Sequence, residues 1–161
     1  DRVKIANQAQ LVNVIAPIMT SEDGGAWRQT IFYPYYHASK FGRGTVLKSK
    51  VSSPSYESKD FKDVDILDQV SIFNEKEEEL TIFAVNRDTE SDLELEVQIN
   101  GFEDYKVIEH LVLEHEDLKA VNSEENPDNV KPENSGNAET VDQKVKAELP
   151  KLSWNVIRLS K

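Results

Sequence analysis

The amino-acid sequence predicts a mainly β chain, an antiparallel β-sandwich or barrel preceded by a shorter α/β segment. Three observations point there. The run Val3–Met19 is apolar-rich and carries no charge from Ile5 onward; an aromatic helix signal follows at Ile31–Gly42; and from about Gly44 the hydrophobic pattern becomes one of short alternating segments separated by polar turns. A length of 161 residues suits one domain with an appendage.

Taken in order, helix formers dominate Val3–Gln10 and β-branched residues take over at Leu11–Ile15. That reads as a helix running into a short strand buried on both faces, as parallel α/β architecture requires. Thr20–Gly25 is a loop by its turn chemistry. In the segment Ile31–Gly42 a proline stands near the start and a glycine just past the end, the asymmetry of a short helix at Pro34–Phe41. One β–loop–α unit cannot bury both faces of its own strand, so residues 1–43 read as a piece of something larger.

Past Gly44, strands are expected at Thr45–Val51 and Val64–Asn74. Glu79–Asn86 is apolar on both faces and reads as a central strand, whereas Asp92–Ile99 alternates strictly and reads as a half-exposed one. Asn100-Gly101 supplies a tight turn before a strand at Tyr105–Leu113, and Lys144–Leu149 and Leu152–Leu159 complete the set. Glu116–Asp142, rich in Asn, Pro, Glu and Asp, is expected to be a long surface loop, held at its ends and mobile in the middle.

Composition narrows function. Nineteen basic against 30 acidic residues give a net charge of −11, which speaks against nucleic acid and against an anionic membrane surface. With no cysteine, disulfides, thiolate metal sites and cysteine nucleophiles are excluded. No stretch reaches the ~20 apolar residues of a membrane helix. The N-terminus does not read as a signal peptide, and cytoplasmic residence is expected.

Site signals are sparse. His110 and His115, five apart on an expected strand, point to opposite faces, cannot chelate one metal together, and read as solvated; His37 reads as a partly buried, hydrogen-bonded histidine. No metal site and no cofactor are expected. Glu75–Glu79 reads as a solvated charged turn, and Gly42-Arg43-Gly44 lacks the context of a phosphate loop. Asn7, Gln10 and Asn13 interrupt the apolar opening. Such amides serve either as internal hydrogen bonders or as readers of sugar hydroxyls. Trp27 either stacks on a sugar face or fills a gap between layers.

The block Val3–Met19, the block Trp27–Pro34 with His37-Ala38-Ser39, and later Leu80–Arg87, Val107–His110 and Leu152–Leu159 together resemble α-L-arabinofuranosidases of glycoside hydrolase family 51. They lie in the order of that family's C-terminal third. The resemblance implies an antiparallel jelly-roll β-sandwich at residues 44–161, preceded at 1–43 by an α/β remnant of a (β/α)8 barrel: a truncated helix, the eighth strand near Leu11–Ile15 and the eighth helix near Pro34–Phe41. It implies a retaining glycosidase acting on arabinose-containing oligosaccharides, homo-oligomeric in the parent, whose two catalytic glutamates lie outside this chain. It further implies that Gln10 presents its amide to the arabinofuranose ring, with Trp27 facing the same end of the barrel. The family's sandwich also takes a strand from the N-terminal part of the full enzyme. Two other roles are consistent with the residues alone: a non-catalytic carbohydrate-binding module, and a purely structural buttress. For the module, the aromatics to examine are Tyr56, Phe61, Phe73, Phe83, Phe102, Tyr105 and Trp154.

Overall fold

The computed structural model describes residues 5–161. They form two compact units: the residues up to Tyr36 together with His115–Lys131, and His37–Glu114 together with Pro132–Lys161.

The first unit is built on a hairpin. Strand β1 (Ile18–Thr20) pairs antiparallel with β2 (Ala26–Arg28), Met19 opposite Trp27, and the helix α1 (Phe32–Phe41) starts here and ends in the second unit. Pro34 stands in the first turn of α1, where its missing N–H leaves no intrahelical bond unmade. Gly42 ends the helix, its N–H bonded to Ala38 O at 2.9 Å; a Cβ there would lie 2.4 Å from that same oxygen.

The opening residues differ from expectation. Residues 5–10 form no helix, Val3 and Lys4 lie outside the described residues, and Leu11–Ile15 form no strand; Val12 makes only an isolated bridge to Ile18. The reason is the want of neighbours. A helix of under ~12 residues needs tertiary packing, and a strand apolar on both faces needs layers to bury it. Here Ile5, Leu11, Val14 and Ile15 are 78, 72, 79 and 61% exposed.

The second unit is an antiparallel sandwich. Its strands are β3 (Thr45–Leu47), β4 (Ser55–Tyr56), β5 (Val64–Asp65), β6 (Leu67–Asn74), β7 (Glu79–Asn86), β8 (Leu93–Gln98), β9 (Lys106–Leu113), β10 (Glu139–Val141), β11 (Lys144–Leu149) and β12 (Ser153–Ser160). One sheet runs β3-β6-β7-β12-β9 and the other β10-β11-β8, while β4 and β5 pair as a separate hairpin. The chain is thus mainly β and antiparallel. The expected strands reappear, with Thr45–Val51 shortened to three residues and Val64–Asn74 split in two.

Alternation explains the core. On β8, Leu93, Leu95 and Val97 face inward, and Glu94, Glu96 and Gln98 face water. They meet Leu80, Ile82 and Ala84 of β7, Ile157 and Leu159 of β12, and Val145 and Leu149 of β11. Each large aliphatic side chain so buried contributes about 1.5–3 kcal/mol. The opposite face of the larger sheet is covered as well: Ile72, Phe83 and Val156 pack with Phe41, Leu111 and Trp154. Burial on both faces is why β7 lacks alternation.

Asn86, fully buried at the end of β7, ties the strand connections together. Its Nδ2 donates to Ser91 O, Leu149 O and Pro150 O at 3.0–3.1 Å, and its Oδ1 accepts the Asp88 N–H at 2.9 Å.

The segment Glu116–Asp142, expected to be a surface loop held at its ends and mobile in the middle, makes hydrogen bonds in its middle as well. Asn122, 3% exposed, donates to Arg28 O and Val130 O and accepts the Val130 N–H. Glu133 bridges Val112, and 139–141 add a strand. An Asn-rich composition suggested solvent, yet the buried Asn122 satisfies backbone groups here.

Candidate functional site

Gln10 and Trp27 fall in the same unit, on either side of β1. Gln10 is exposed with a left-handed backbone, as have Asn13 and Val14 in the turn that follows: their φ values are 57°, 62° and 60°. Asn13 closes the turn onto the hairpin, its Nδ2 donating to Thr20 Oγ1 at 2.9 Å and its Oδ1 accepting the Thr20 N–H at 2.8 Å. Of the three amides in the apolar opening, Asn13 is the internal hydrogen bonder, while Asn7 and Gln10 face water.

Trp27 is half-buried on β2, its indole nitrogen shielded from water with no hydrogen-bond partner. The loop before it is fastened from a distance. Ser21 Oγ donates to Glu124 Oε1 at 2.6 Å and accepts the Gly25 N–H at 3.0 Å. The Glu124 carboxylate fills the space where a Gly25 side chain would stand, a Cβ there falling 2.2 Å from Oε1. Neither the Asn13–Thr20 nor the Glu124–Ser21 pairing is legible in local pattern, the second spanning 103 residues.

In the second unit two glutamates converge on an arginine. Arg158 donates through Nε and Nη2 to both oxygens of Glu79, at 2.6 and 2.7 Å, and through Nη1 to Glu109 at 2.6 Å. These bonds hold the guanidinium firmly protonated, Glu79 above all, against the opposing effect of burial. The guanidinium lies 4.2 Å from the Phe41 ring centroid; Phe41 stacks on His37, and His37 on Trp154 at 5.5 Å. A carboxylate with both oxygens engaged by one guanidinium has no free face for acid/base work. The ladder fastens α1 to the sheet. His37, expected to be partly buried, is 8% exposed, and that burial lowers its pKa, Glu109 opposing.

His110 departs from expectation: it is 2% exposed, not solvated. Its Nδ1 accepts the Ala138 N–H at 3.1 Å, which leaves the ring proton on Nε2 to donate to Asn155 Oδ1 at 3.2 Å. Asn155 passes the chain to Ser153 Oγ at 2.8 Å, and Ser153 to Pro150 O. Gly136 lies against the imidazole so closely that a Cβ would sit 2.0 Å from Nδ1. The physical reason for the difference is coverage by a loop whose approach depends on that glycine. Burial lowers the His110 pKa. His115, past the end of β9, is exposed as expected.

Among the described residues, the aromatics of the two sandwich sheets are packed rather than arrayed on an open sheet face. Phe73, Phe102 and Tyr105 pack edge to face within the sandwich, and Phe83 and Trp154 lie in the cluster under α1. Tyr56 and Phe61 are exposed, at 40 and 69%.

Comparison with known proteins gives a concordant picture. The family described as "Alpha-L-arabinofuranosidase C-terminal domain" matches residues 1–153. An intracellular exo-alpha-(1→5)-L-arabinofuranosidase 1 from Bacillus subtilis (strain 168) is 54% identical over 161 residues, covering 100% of this chain and 32% of that protein. A namesake from Halalkalibacterium halodurans matches at the same identity and coverage. Among solved structures, a family 51 alpha-L-arabinofuranosidase from Bifidobacterium longum superposes with a TM-score of 0.91 at 34% identity, covering 98% of this chain and 31% of that one. The chain spans about a third of the length of the curated relatives it matches.

Proposed function

This chain belongs to the alpha-L-arabinofuranosidase C-terminal domain family, and from that premise we propose that it is the non-catalytic third of a retaining exo-α-L-arabinofuranosidase. The observation that carries the reading is coverage: 54% identity runs the whole length of this chain yet takes in only 32% of the relative. A retaining mechanism needs an acid/base and a nucleophile about 5–5.5 Å apart. Both are assigned to the remaining two-thirds of the parent. The ion-paired Glu79 and Glu109 suit a structural role instead.

In the intact enzyme, residues 1–43 complete the catalytic barrel and 44–161 form the sandwich that buttresses it. The exposure of Ile5, Leu11, Val14 and Ile15 supports this, since apolar side chains in such number call for a covering layer. Gln10 contacts the terminal arabinofuranosyl residue of arabinose-containing polysaccharides or oligosaccharides, and Trp27 lines the same end. The parent resides inside the cell, as the names of its relatives have it, and assembles as a homo-oligomer.

The sandwich has an open side. Among the described residues, strand β8 is paired on one edge only, and beside it lies a cavity of about 570 Å3 lined by Leu47, Leu67, Leu80, Leu95 and Phe102 together with polar residues such as Lys48, Gln69, Glu96 and Asn100. An unpaired edge over a groove of mixed apolar and polar lining suits a strand supplied by the rest of the parent.

The test is an assay on an aryl α-L-arabinofuranoside. This chain alone gives no turnover above a heat-killed control, and co-expression with the upstream portion of the parent gives retaining hydrolysis. Turnover by the isolated chain would refute the assignment. Measurable calorimetric affinity of the chain for arabino-oligosaccharides would favour the binding-module reading instead.

A further inference from the structure

Resting on the reading of Gln10 as a substrate contact, we infer that Asn13 is the positioning residue that determines where Gln10 stands. Gln10, Asn13 and Val14 all occupy the left-handed region. That region disfavours side chains with a Cβ, a β-branched valine most of all, and is kept only where the surroundings dictate it.

Asn13 supplies that constraint. Its side chain reaches Thr20 with both amide atoms, at 2.9 and 2.8 Å. Its backbone closes the same loop: the N–H donates to Ile18 O at 2.8 Å, and the carbonyl accepts the Ala16 N–H at 3.0 Å. Thr20 in turn is the last residue of β1, paired with Ala26 of β2. One residue therefore fastens the turn that begins three residues after Gln10 to a two-stranded hairpin. Asparagine suits the task because it tolerates the left-handed region and offers a donor and an acceptor together. In this arrangement Asn13 acts on the sugar only through Gln10.

The experiment uses the full-length enzyme that contains this chain, with kcat and KM on an aryl α-L-arabinofuranoside normalised to folded protein. Asn13→Ala is expected to lower kcat/KM by about tenfold to a hundredfold, the effect of moving a substrate-positioning group by on the order of 1 Å. Thr20→Val, which removes one of the two side-chain bonds, lowers it less and carries the test if Asn13→Ala fails to fold. Asn13→Asp keeps the acceptor for the Thr20 N–H and restores most of the activity. The deciding arm combines Asn13→Ala, or Thr20→Val in its place, with Gln10→Ala. If the clamp acts through Gln10, the double variant falls no further than Gln10→Ala alone. Losses that multiply would make Asn13 a general structural residue and overturn the inference. An impaired Gln10→Ala beside unimpaired Asn13→Ala and Thr20→Val would overturn the inference alone. A Gln10→Ala enzyme with unchanged kcat/KM would remove the Gln10 reading itself, and the inference with it.

Discussion

Residues 5–15 and the strand pair β7/β12 have similar apolar content and opposite fates. In β7 and β12, Leu80, Ile82, Val156, Ile157 and Leu159 are nearly or fully buried; in the opening segment Ile5, Leu11, Val14 and Ile15 stand in water. Composition alone does not separate them. What differs is the number of partners: β7 and β12 each have a strand on either side and packed layers on both faces, whereas Val12 has a single bridge. Burial is a property of the neighbourhood, and an apolar run becomes a strand only where neighbours satisfy its backbone.

The comparison breaks most easily at the sandwich. Ile157→Ala removes a fully buried side chain and is expected to lower unfolding free energy by about 2–5 kcal/mol. Ile15→Ala, at a site 61% exposed, should change it by under about 0.5 kcal/mol in the same chain. Urea unfolding of both variants in a Trp27→Phe background, followed by Trp154 fluorescence, checks the pair; equal effects would mean that the opening segment shares the core. In the full-length parent the two values should converge.

The Arg158 cluster gives the next largest effect. Arg158→Met leaves Glu79 and Glu109 facing each other without their counter-charge, with side-chain exposures of 17 and 26%. A cost of about 2 kcal/mol is expected, below that of a fully buried pair because water reaches both carboxylates. Loss of near-ultraviolet dichroism from Trp154 would accompany it, since Phe41 and His37 stack between arginine and indole.

How much of this was legible follows the same divide. The bounds of β7 and β11 and the half-exposed β8 could be read from hydrophobic pattern, because both their faces are settled by residues in the strand itself. Leu11–Ile15 misled because a period describes faces and says nothing about whether a partner exists. His110 misled because its burial depends on Asn155, 45 residues away, and on Gly136. Asn122 looked like loop composition, and its partners Arg28 and Val130 lie 94 and eight residues off. As for Gln10 and Trp27, the sugar-facing roles proposed for them rest on resemblance, since the pattern left them open between ligand reading and packing.

The buried histidines make the sandwich sensitive to acid. Burial lowers the pKa of His110 and of His37 in the folded state. Between the folded values and the unfolded value of about 6.5, the unfolded chain binds more protons, so stability is full above that unfolded value and declines as pH falls below it. Each histidine contributes at most about 1.4 kcal/mol per pH unit across that window. His110→Gln should flatten the decline of Tm between about pH 6.5 and 5 while lowering Tm at neutral pH. An unchanged slope would mean that His110 takes up its proton alike in the folded and unfolded states over this range.

The smallest expected effect tests the opening segment from within. Val14 holds φ at 60°, a conformation that costs a β-branched residue about 1–3 kcal/mol and glycine almost nothing. In this chain Val14→Gly should therefore stabilise the turn slightly. It should slow hydrogen exchange at the Asn13 and Thr20 amides, which bond Ile18 O and Asn13 Oδ1, and leave the sandwich transition unmoved. If the rest of the parent instead draws residues 11–15 into a barrel strand, undoing the turn on which the Asn13 inference rests, the same change there acts with the opposite sign. Glycine then loses the packing of a valine and adds backbone freedom to the unfolded chain, a penalty of about 0.5–1 kcal/mol for the second effect alone. A single substitution that stabilises the short chain and destabilises the long one would show that this segment takes its structure from its neighbours. The same sign in both would show that the left-handed turn is its own preference.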